Sequence, residues 1–432
     1  MRVRKPFWVL LILMALCILA AYNTSAVQNQ VFIRAVYFGF FLIIISWFWA
    51  ASAVTNYNLN REVRGVRQEL GQIVEERFEL INRSRFTRPW LELRDRSGLP
   101  GVGGSRVLST IGPNERRNFS AYTVLTRRGE YNLGPTQLIS GDPFGFFLHQ
   151  STIPASQTLL VLPYMVNLDH FPFPAGFLPG GKTHRFKTLE VTPHAASVRE
   201  YAPGDPLSRI HWPSSARKDR LIVKEFEQDI QADVWILVDA DQATHFVDTE
   251  EKSKRQAEQI ISDQFAVVRL NRQKFSLPPD SFEYVVSAAA SITKYFIQIG
   301  RGVGLSSVGQ QRIVLPPEKG ERQFSKIIES LALLQPLGKI LFPAVTAAQT
   351  QVINRGSTVV LITSAVNTGT LSAAANAAQR NLNPVVVLIS GQSFGGPEDD
   401  PSVQAVLRQQ KIPTVMVRKG DPLRETLNFG FY

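Results

Sequence analysis

The sequence has 432 residues, 44% hydrophobic and 19% charged, a folding composition long enough for two or three domains, which excludes wholesale disorder. Lys and Arg exceed Asp and Glu by 47 − 36 = +11, a basic excess that suits nucleic acid or an anionic membrane surface. A single cysteine, Cys17, allows no intrachain disulfide, and with six histidines it excludes a structural Cys/His zinc site.

The chain opens Met1-Arg2-Val3-Arg4-Lys5 and runs apolar from Phe7 to Ala21. As a helix this run is about 22 Å long, short for a hydrocarbon core of about 30 Å. A second apolar run, Ala35 to Val54, carries Trp47 and Trp49 near its end, and a polar link, Asn23 to Arg34, separates the two. The pattern predicts a transmembrane hairpin over 1–57. Positive residues precede the first span, and Arg61, Arg64 and Arg67 follow the second, while the link holds only Arg34. Positive-inside places both ends in the cytoplasm, and the same arginines can meet anionic headgroups, which accounts for part of the basic excess. The rival reading is a cleaved signal peptide with Thr24-Ser25-Ala26 as an imperfect site, the second span then stopping transfer. Cys17 reads as a small apolar residue of the span.

Over 58–166 short alternating runs follow: Ile73 to Ile81, Trp90 to Arg94, Arg106 to Ile111, Asn118 to Leu125, Tyr131 to Ile139 and Thr158 to Leu162. Turn signals such as Gly103-Gly104, Gly112-Pro113-Asn114 and Gly141-Asp142-Pro143 separate them. The spacing predicts an antiparallel β-sandwich without a catalytic motif.

From 233 to 432 the pattern becomes α/β. Val234 to Val238 reads as a strand buried on both faces. A charged insert runs from Asp241 to about Pro279. Asp280 with Glu283 forms a capping box for a helix whose apolar stripe runs from Phe282 to Ile299, and Gly300 stops it. Strands at Gly304–Val308, Thr358–Thr363, Val385–Ile389 and Thr414–Val417, with helical segments between, imply a mostly parallel sheet covered on both faces. Ligands bind beyond the carboxyl ends of such strands. There Asp239, Asp241 and Ser364 offer oxygens that suit magnesium, unless the carboxylates simply cap structure.

The connector, 167–232, carries the most distinctive segment. It runs Arg199-Glu200-Tyr201-Ala202-Pro203-Gly204-Asp205-Pro206-Leu207-Ser208-Arg209-Ile210-His211-Trp212-Pro213-Ser214-Ser215-Ala216-Arg217-Lys218 and continues through Val223-Lys224-Glu225-Phe226. Asp205-Pro206 predicts a short helix start, Pro213 a break, and Leu221 to Phe226 a strand. His211, Asp205 and Ser214 or Ser215 invite a hydrolase reading, but no nucleophile elbow is present and the spacing does not converge a triad. An Arg–carboxylate network fixing a turn, with Trp212 as a packed anchor, is the preferred reading.

This segment resembles the signature of the prokaryotic family called domain of unknown function 58. The matching positions are Arg199 to Tyr201, Gly204-Asp205, Arg209 to Trp212, Ser215 to Arg217 and Val223 to Phe226. The resemblance extends to Thr126-Arg127-Arg128-Gly129, Asp142-Pro143-Phe144-Gly145 and Pro316-Pro317-Glu318-Lys319-Gly320. It implies an N-terminal membrane hairpin, a von Willebrand factor A-like, Rossmann-type C-terminal domain, and a MoxR-type AAA+ ATPase as partner. Transglutaminase-like membrane proteins are a further partner it suggests. Pro213 stands where the family often has lysine, and the insert after Asp241 is long. The adhesion-type metal motif is eroded to Asp239-Ala240-Asp241-Gln242-Ala243 and Thr363-Ser364-Ala365.

The leading expectation is a non-enzymatic, membrane-anchored scaffold with its bulk in the cytoplasm and no cofactor. Arg199, Tyr201, Gly204, Asp205, Arg209, His211, Trp212, Ser215, Arg217 and Lys224 then serve structure or an interface. A metal-dependent receptor using Asp239, Asp241 and Ser364, and a hydrolase using His211, are the alternatives. Nucleic-acid binding is disfavoured because no basic run is interleaved with stacking aromatics.

Overall fold

The computed structural model describes residues 1–23, 26–54, 56–99, 104–155, 157–172, 195–203, 210–226, 233–251 and 275–431, with only the backbone at 26–28, 195–199 and 224–226. The chain divides into two units. The first is Met1–Met165 with Phe246–Ala290 and Ile328–Leu334; the second is Val166–His245 with Ser291–Ile327 and Gln335–Tyr432.

In the first unit, β1 (Arg2–Val3) leads into helices α1 (Lys5–Asn23) and α2 (Ala26–Ser52). Both helices are long and apolar enough to cross a membrane. The expected link, Asn23 to Arg34, is mostly helix: α2 starts eight residues before Arg34. Polarity alone does not break a helix, and Ala26 to Arg34 contains no Gly or Pro. The two helices touch at Gly39, where a Cβ would lie 2.8 Å from the Met14 sulfur.

The β region comprises β2 (Tyr57–Val63), β3 (Arg67–Glu69), β4 (Ile73–Asn82), β5 (Arg88–Asp95), β6 (Arg106–Ile111), β7 (Arg116–Val124), β8 (Gly129–Leu133), β9 (Thr136–Gly141), β10 (Phe147–Ile153) and β11 (Gln157–Leu162). They form sheets ordered β1-β10-β9-β5-β6, β2-β4-β7 and β3-β11-β8. Pairing is antiparallel except for β3 with β11, which is parallel and departs from the expected all-antiparallel pattern. The expected run Tyr131 to Ile139 is two strands, because Gly134 takes φ +118° and Pro135 has no N–H for a ladder. Leu91, Leu93, Ile111 and Leu138 from the first sheet share a core with Leu59, Leu80 and Phe119 from the second.

The end of α2 is built into this core. Ala53 and Val54 belong to it, and Ala50 packs with Phe146 and Phe147. Arg88 donates to the Ser52 carbonyl and, at 3.1 Å, to its hydroxyl, while His149 Nδ1 donates to the Ala51 carbonyl at 3.2 Å. The Arg88 guanidinium thus meets the negative end of the helix. The strand β1 pairs with β10, Arg2 opposite Leu148 and Val3 opposite Phe147. The residues before α1 and those after α2 thus meet in one β-rich body.

Two buried charge networks brace this unit. Arg61 reaches Glu76 at 2.7 Å and both Asp95 oxygens at 3.1 and 2.9 Å, and it lies over the Phe78 ring. Burial pushes the Glu76 carboxyl up even though Arg61 pulls the other way. Arg128, from the quoted Thr126–Gly129 stretch, pairs with Glu283 and lies 4.9 Å over Phe282. It also donates to the carbonyls of Leu331 at 3.2 Å and Leu334 at 2.9 Å. Glu283 pairs with Arg128, and Asp280 Oδ1 caps the helix at Phe282 N–H, at 2.9 Å.

The second unit opens with β12 (Ala195–Glu200), α3 (Trp212–Lys218) and β13 (Ile222–Phe226). Next come β14 (Val234–Val238), α4 (Ser281–Gln298), β15 (Val303–Val308), β16 (Arg312–Glu318), α5 (Glu321–Leu333) and α6 (Phe342–Thr350). The chain closes with β17 (Thr358–Thr363), α7 (Thr368–Gln379), β18 (Asn383–Ile389), α8 (Pro401–Gln409), β19 (Thr414–Val417) and α9 (Leu423–Phe429). The division between units passes through α4 and α5.

The sheet order is β16-β15-β14-β17-β18-β19, parallel throughout except for the edge strand β16. Trp235, Leu237, Val359, Leu361, Val386 and Leu388 pack on one face against Phe342, Ala373, Ala377, Val403 and Leu407. Ile236, Val238, Val360 and Ile362, which alternate with them, are equally buried, so both faces are covered.

Candidate functional site

The signature segment is a small braced ribbon. β12 pairs antiparallel with β13, and Ile210 bridges to Val223. Pro213 stands in the first turn of α3, where a missing N–H costs nothing, while the helix expected to start at Asp205 lies outside the described residues. The buried side of that helix is Ser215. Its hydroxyl accepts from Ile222 N–H at 2.9 Å and donates to the His211 carbonyl at 3.1 Å. Trp212 is 65% exposed, not a packed anchor, because the short helix turns Ser215 inward instead. His211 Nδ1 lies 2.7 Å from Ser214 Oγ, and no described carboxylate contacts its ring. Tyr201 is half-buried and donates its N–H to the Leu221 carbonyl, and Arg217 is exposed. The described ion pair of this segment joins Arg220 to Glu200, both exposed. Gly204, Asp205 and Arg209 lie outside the described residues, as do the side chains of Arg199 and Lys224 and most of the insert after Asp241.

The strand ends hold a second cluster. β14 runs out into Asp239-Ala240-Asp241 and β17 into Ser364-Ala365. Asp239 is buried, and burial pushes its carboxyl up to about 6 against the pull of its hydrogen bonds. Its Oδ2 accepts from the hydroxyls of Thr363 at 2.6 Å and Thr244 at 3.1 Å, and its Oδ1 accepts from Asp241 N–H at 3.0 Å. Asp241 Oδ1 caps the following turn at Ala243 N–H, 3.1 Å away. Ser364 Oγ lies 2.7 Å from the Thr244 carbonyl and 2.8 Å from His245 Nδ1, and His245 Nε2 reaches the Asp239 carbonyl at 3.2 Å. The two strands thus bring Asp239, Asp241 and Ser364 together, and donors from the protein already occupy both Asp239 oxygens and Asp241 Oδ1. An octahedral cation draws on such lone pairs, so magnesium there would compete with the protein's own donors to Asp239. Among the described residues no group of three or more His, Cys, Asp and Glu side chains could hold a metal ion.

Beside this cluster runs the loop between α5 and α6. Gly338 N–H donates to the Ala240 carbonyl, and the Gly338 carbonyl accepts from Gln242 N–H, both at 2.9 Å. A Cβ on Gly338 would lie 2.3 Å from the Val308 carbonyl and 2.7 Å from that of Ala240, so only glycine fits. The same loop leaves Leu337 48%, Ile340 51% and Leu341 67% exposed. An apolar rim therefore stands at the carboxyl ends of the strands. Thr244, His245 and this rim escaped the sequence reading. The signal available was a glycine amid apolar residues where a polar turn is usual.

The fold and site define a chain with two helices able to span a membrane, a β-rich unit and a mixed α/β unit. The model of the family described as "Protein of unknown function DUF58" matches residues 197–277 and 265–390. Over this region, which contains the signature ribbon and much of the sheet, the chain is similar to the DUF58 family. It is 26% identical over 238 residues to the uncharacterized protein YeaD of Bacillus subtilis (strain 168), covering 53% of this chain and 49% of that protein. The chain thus spans about half the length of this curated relative. The CARDB domain of the PF1109 protein from Pyrococcus furiosus is 14% identical, with 24% of this chain and 93% of that one covered at a TM-score of 0.19. A GH20 exo-β-N-acetylglucosaminidase from Vibrio harveyi is 11% identical, with 49% and 30% covered at a TM-score of 0.18. At such scores neither structure bears on fold or function.

Proposed function

We propose that this protein is a non-enzymatic, membrane-anchored scaffold that docks a protein partner at the carboxyl ends of its α/β sheet, on the cytoplasmic face. The observation that carries this reading is the exposed apolar rim Leu337, Ile340 and Leu341, held beside Asp241 by Gly338. Ligands of open α/β sheets bind at such strand ends. A von Willebrand factor A-like identity for the sheet is supported by the central β14, the neighbours β15 and β17, and the antiparallel edge β16. The eroded metal motif then favours a metal-free protein contact over a metal-dependent receptor. The partner class, a MoxR-type AAA+ ATPase, comes from the family resemblance. A transglutaminase-like membrane protein is a second partner it suggests. The cytoplasmic placement rests on the positive residues flanking the hairpin.

Two measurements test this. A reporter fused after Tyr432 is active only as a cytoplasmic reporter; activity outside the cytoplasm contradicts the placement and the ATP-dependent partner with it. A photo-crosslinking residue at Leu341 captures the ATPase, while one at Val107, 64% exposed on β6, does not. Equal capture at both positions, or capture at neither, overturns the rim as docking site.

A further inference from the structure

The turn between β9 and β10 carries an exposed aromatic that the scaffold reading does not use. Phe144 is 53% exposed at its tip. The turn is rigidly closed: Asp142 is buried, its Oδ2 accepts from Phe144 N–H at 2.9 Å and its Oδ1 from Phe147 N–H at 2.6 Å. The side chains beneath the tip point into the helices. Phe146 stacks 5.8 Å from Phe144, Phe147 lies 5.2 Å from Phe7, and both join Ala50, Leu10, Leu42 and Ile43 in one apolar cluster. The tip is therefore continuous with the apolar surfaces of α1 and α2. Other exposed aromatics lie near the same ends of these helices: Trp8 near the start of α1 and Trp47 near the end of α2, 60% and 54% exposed. Arg2, Arg4 and Lys5 are exposed alongside, and Arg4 N–H donates to the Phe146 carbonyl at 2.9 Å.

We infer that the Asp142–Phe147 turn is a membrane-interface anchor, with Phe144 inserted at headgroup depth in an anionic leaflet. The inference rests on reading α1 and α2 as spans. The window Asn29–Ser52 has 24 residues. It is about 36 Å long as helix, longer than a hydrocarbon core of about 30 Å. The surplus falls at the Ser52 end, where Ala50, Ala53 and Val54 are enclosed by protein. That sets the lipid boundary near Trp47, beside the cluster that supports Phe144. Aromatic rings favour this depth, and the neighbouring cations favour anionic lipid. The anchor would fix the β region against the bilayer through a third point besides the two helices.

The test uses the full chain in phosphatidylcholine–phosphatidylglycerol vesicles, with Cys17→Ala and one environment-sensitive fluorophore attached at Phe144→Cys, Val107→Cys or Leu13→Cys. The expected result is loss of most emission from position 144 with a shallow spin-labelled lipid, and little loss with aqueous iodide. Position 13 responds to the deep spin label, and position 107 to iodide alone. Iodide quenching at 144 equal to that at 107, with 13 still quenched by lipid, overturns the anchor and leaves the spans intact. Protection of 144 from both quenchers points to a protein neighbour and also overturns it. A position 13 that no lipid quenches removes the spans and the anchor together.

Discussion

Replacing Arg61 with alanine lowers stability by about 3–5 kcal/mol, because it leaves two buried carboxylates without their shared cation. Arg61 and Glu76 are 5% and 0% exposed in their side chains, and Asp95 is 1% exposed. The loss also depends on pH. The Glu76 carboxyl is already raised by burial, and without Arg61 it rises further. A carboxyl raised in the folded state gives its stability at low pH and loses it as pH climbs through the folded value. The penalty of Arg61→Ala therefore grows from mildly acidic to alkaline pH, read as the fall in thermal midpoint. Arg61→Lys keeps the charge but not the two-pronged contact with Asp95, and recovers only part of it. A midpoint unmoved by Arg61→Ala at pH 8 contradicts the structural role given to this network.

Asp239→Asn has the opposite sign. Burial holds the Asp239 carboxyl at about 6 against an ordinary 3.8. The neutral form is thus the favoured one, its benefit complete below pH 3.8 and lost as pH rises toward 6. Above that the ionised group is a standing penalty of roughly 3 kcal/mol. Asparagine can keep the contact to Asp241 N–H through its carbonyl and donate its amide to the Thr363 hydroxyl. The variant is therefore more stable than the parent at pH 8 by roughly 2–3 kcal/mol, and equal to it near pH 4. Magnesium added to chelated parent protein moves neither midpoint. Stabilisation of the parent by magnesium, lost in Asp239→Asn, would revive the metal-dependent receptor.

The local patterns of this chain were legible where one physical rule dominates. Val234 to Val238 reads as a doubly buried strand because every residue is apolar, and Trp90 to Arg94 as a half-buried one because it alternates. β16 is not legible in the sequence because Pro316 and Pro317 signal a turn, yet an edge strand tolerates prolines on its free side. The start of α2 is hidden because the polar residues between Asn23 and Arg34 look like a link, whereas a helix needs only the absence of breakers. The exposure of Trp212 is not legible because a seven-residue helix gives no periodicity from which to choose its buried face.

The candidate site was legible in part. Asp239, Asp241 and Ser364 do meet at the strand ends, as strand order and Asp-x-Asp spacing imply. What closes them is not in their own spacing. Thr244 and His245 fold back from the loop after β14, and Gly338 arrives from the loop before α6, through contacts set only by the tertiary fold. The Arg128 bridge to Glu283, Leu331 and Leu334 is hidden for the same reason: the quoted Thr126–Gly129 stretch gives no hint of which helices it holds.

The most direct measurement is equilibrium binding of the full chain, in lipid nanodiscs, to a MoxR-type AAA+ ATPase from the same cell, with and without nucleotide. The scaffold account predicts saturable binding at micromolar concentrations or tighter, in the range of a modest regulated interface. It also predicts that Ile340→Asp with Leu341→Asp weakens binding at least about tenfold, a change of roughly 1.4 kcal/mol, without shifting the thermal midpoint. No binding in either nucleotide state, or binding indifferent to the two substitutions, would contradict it.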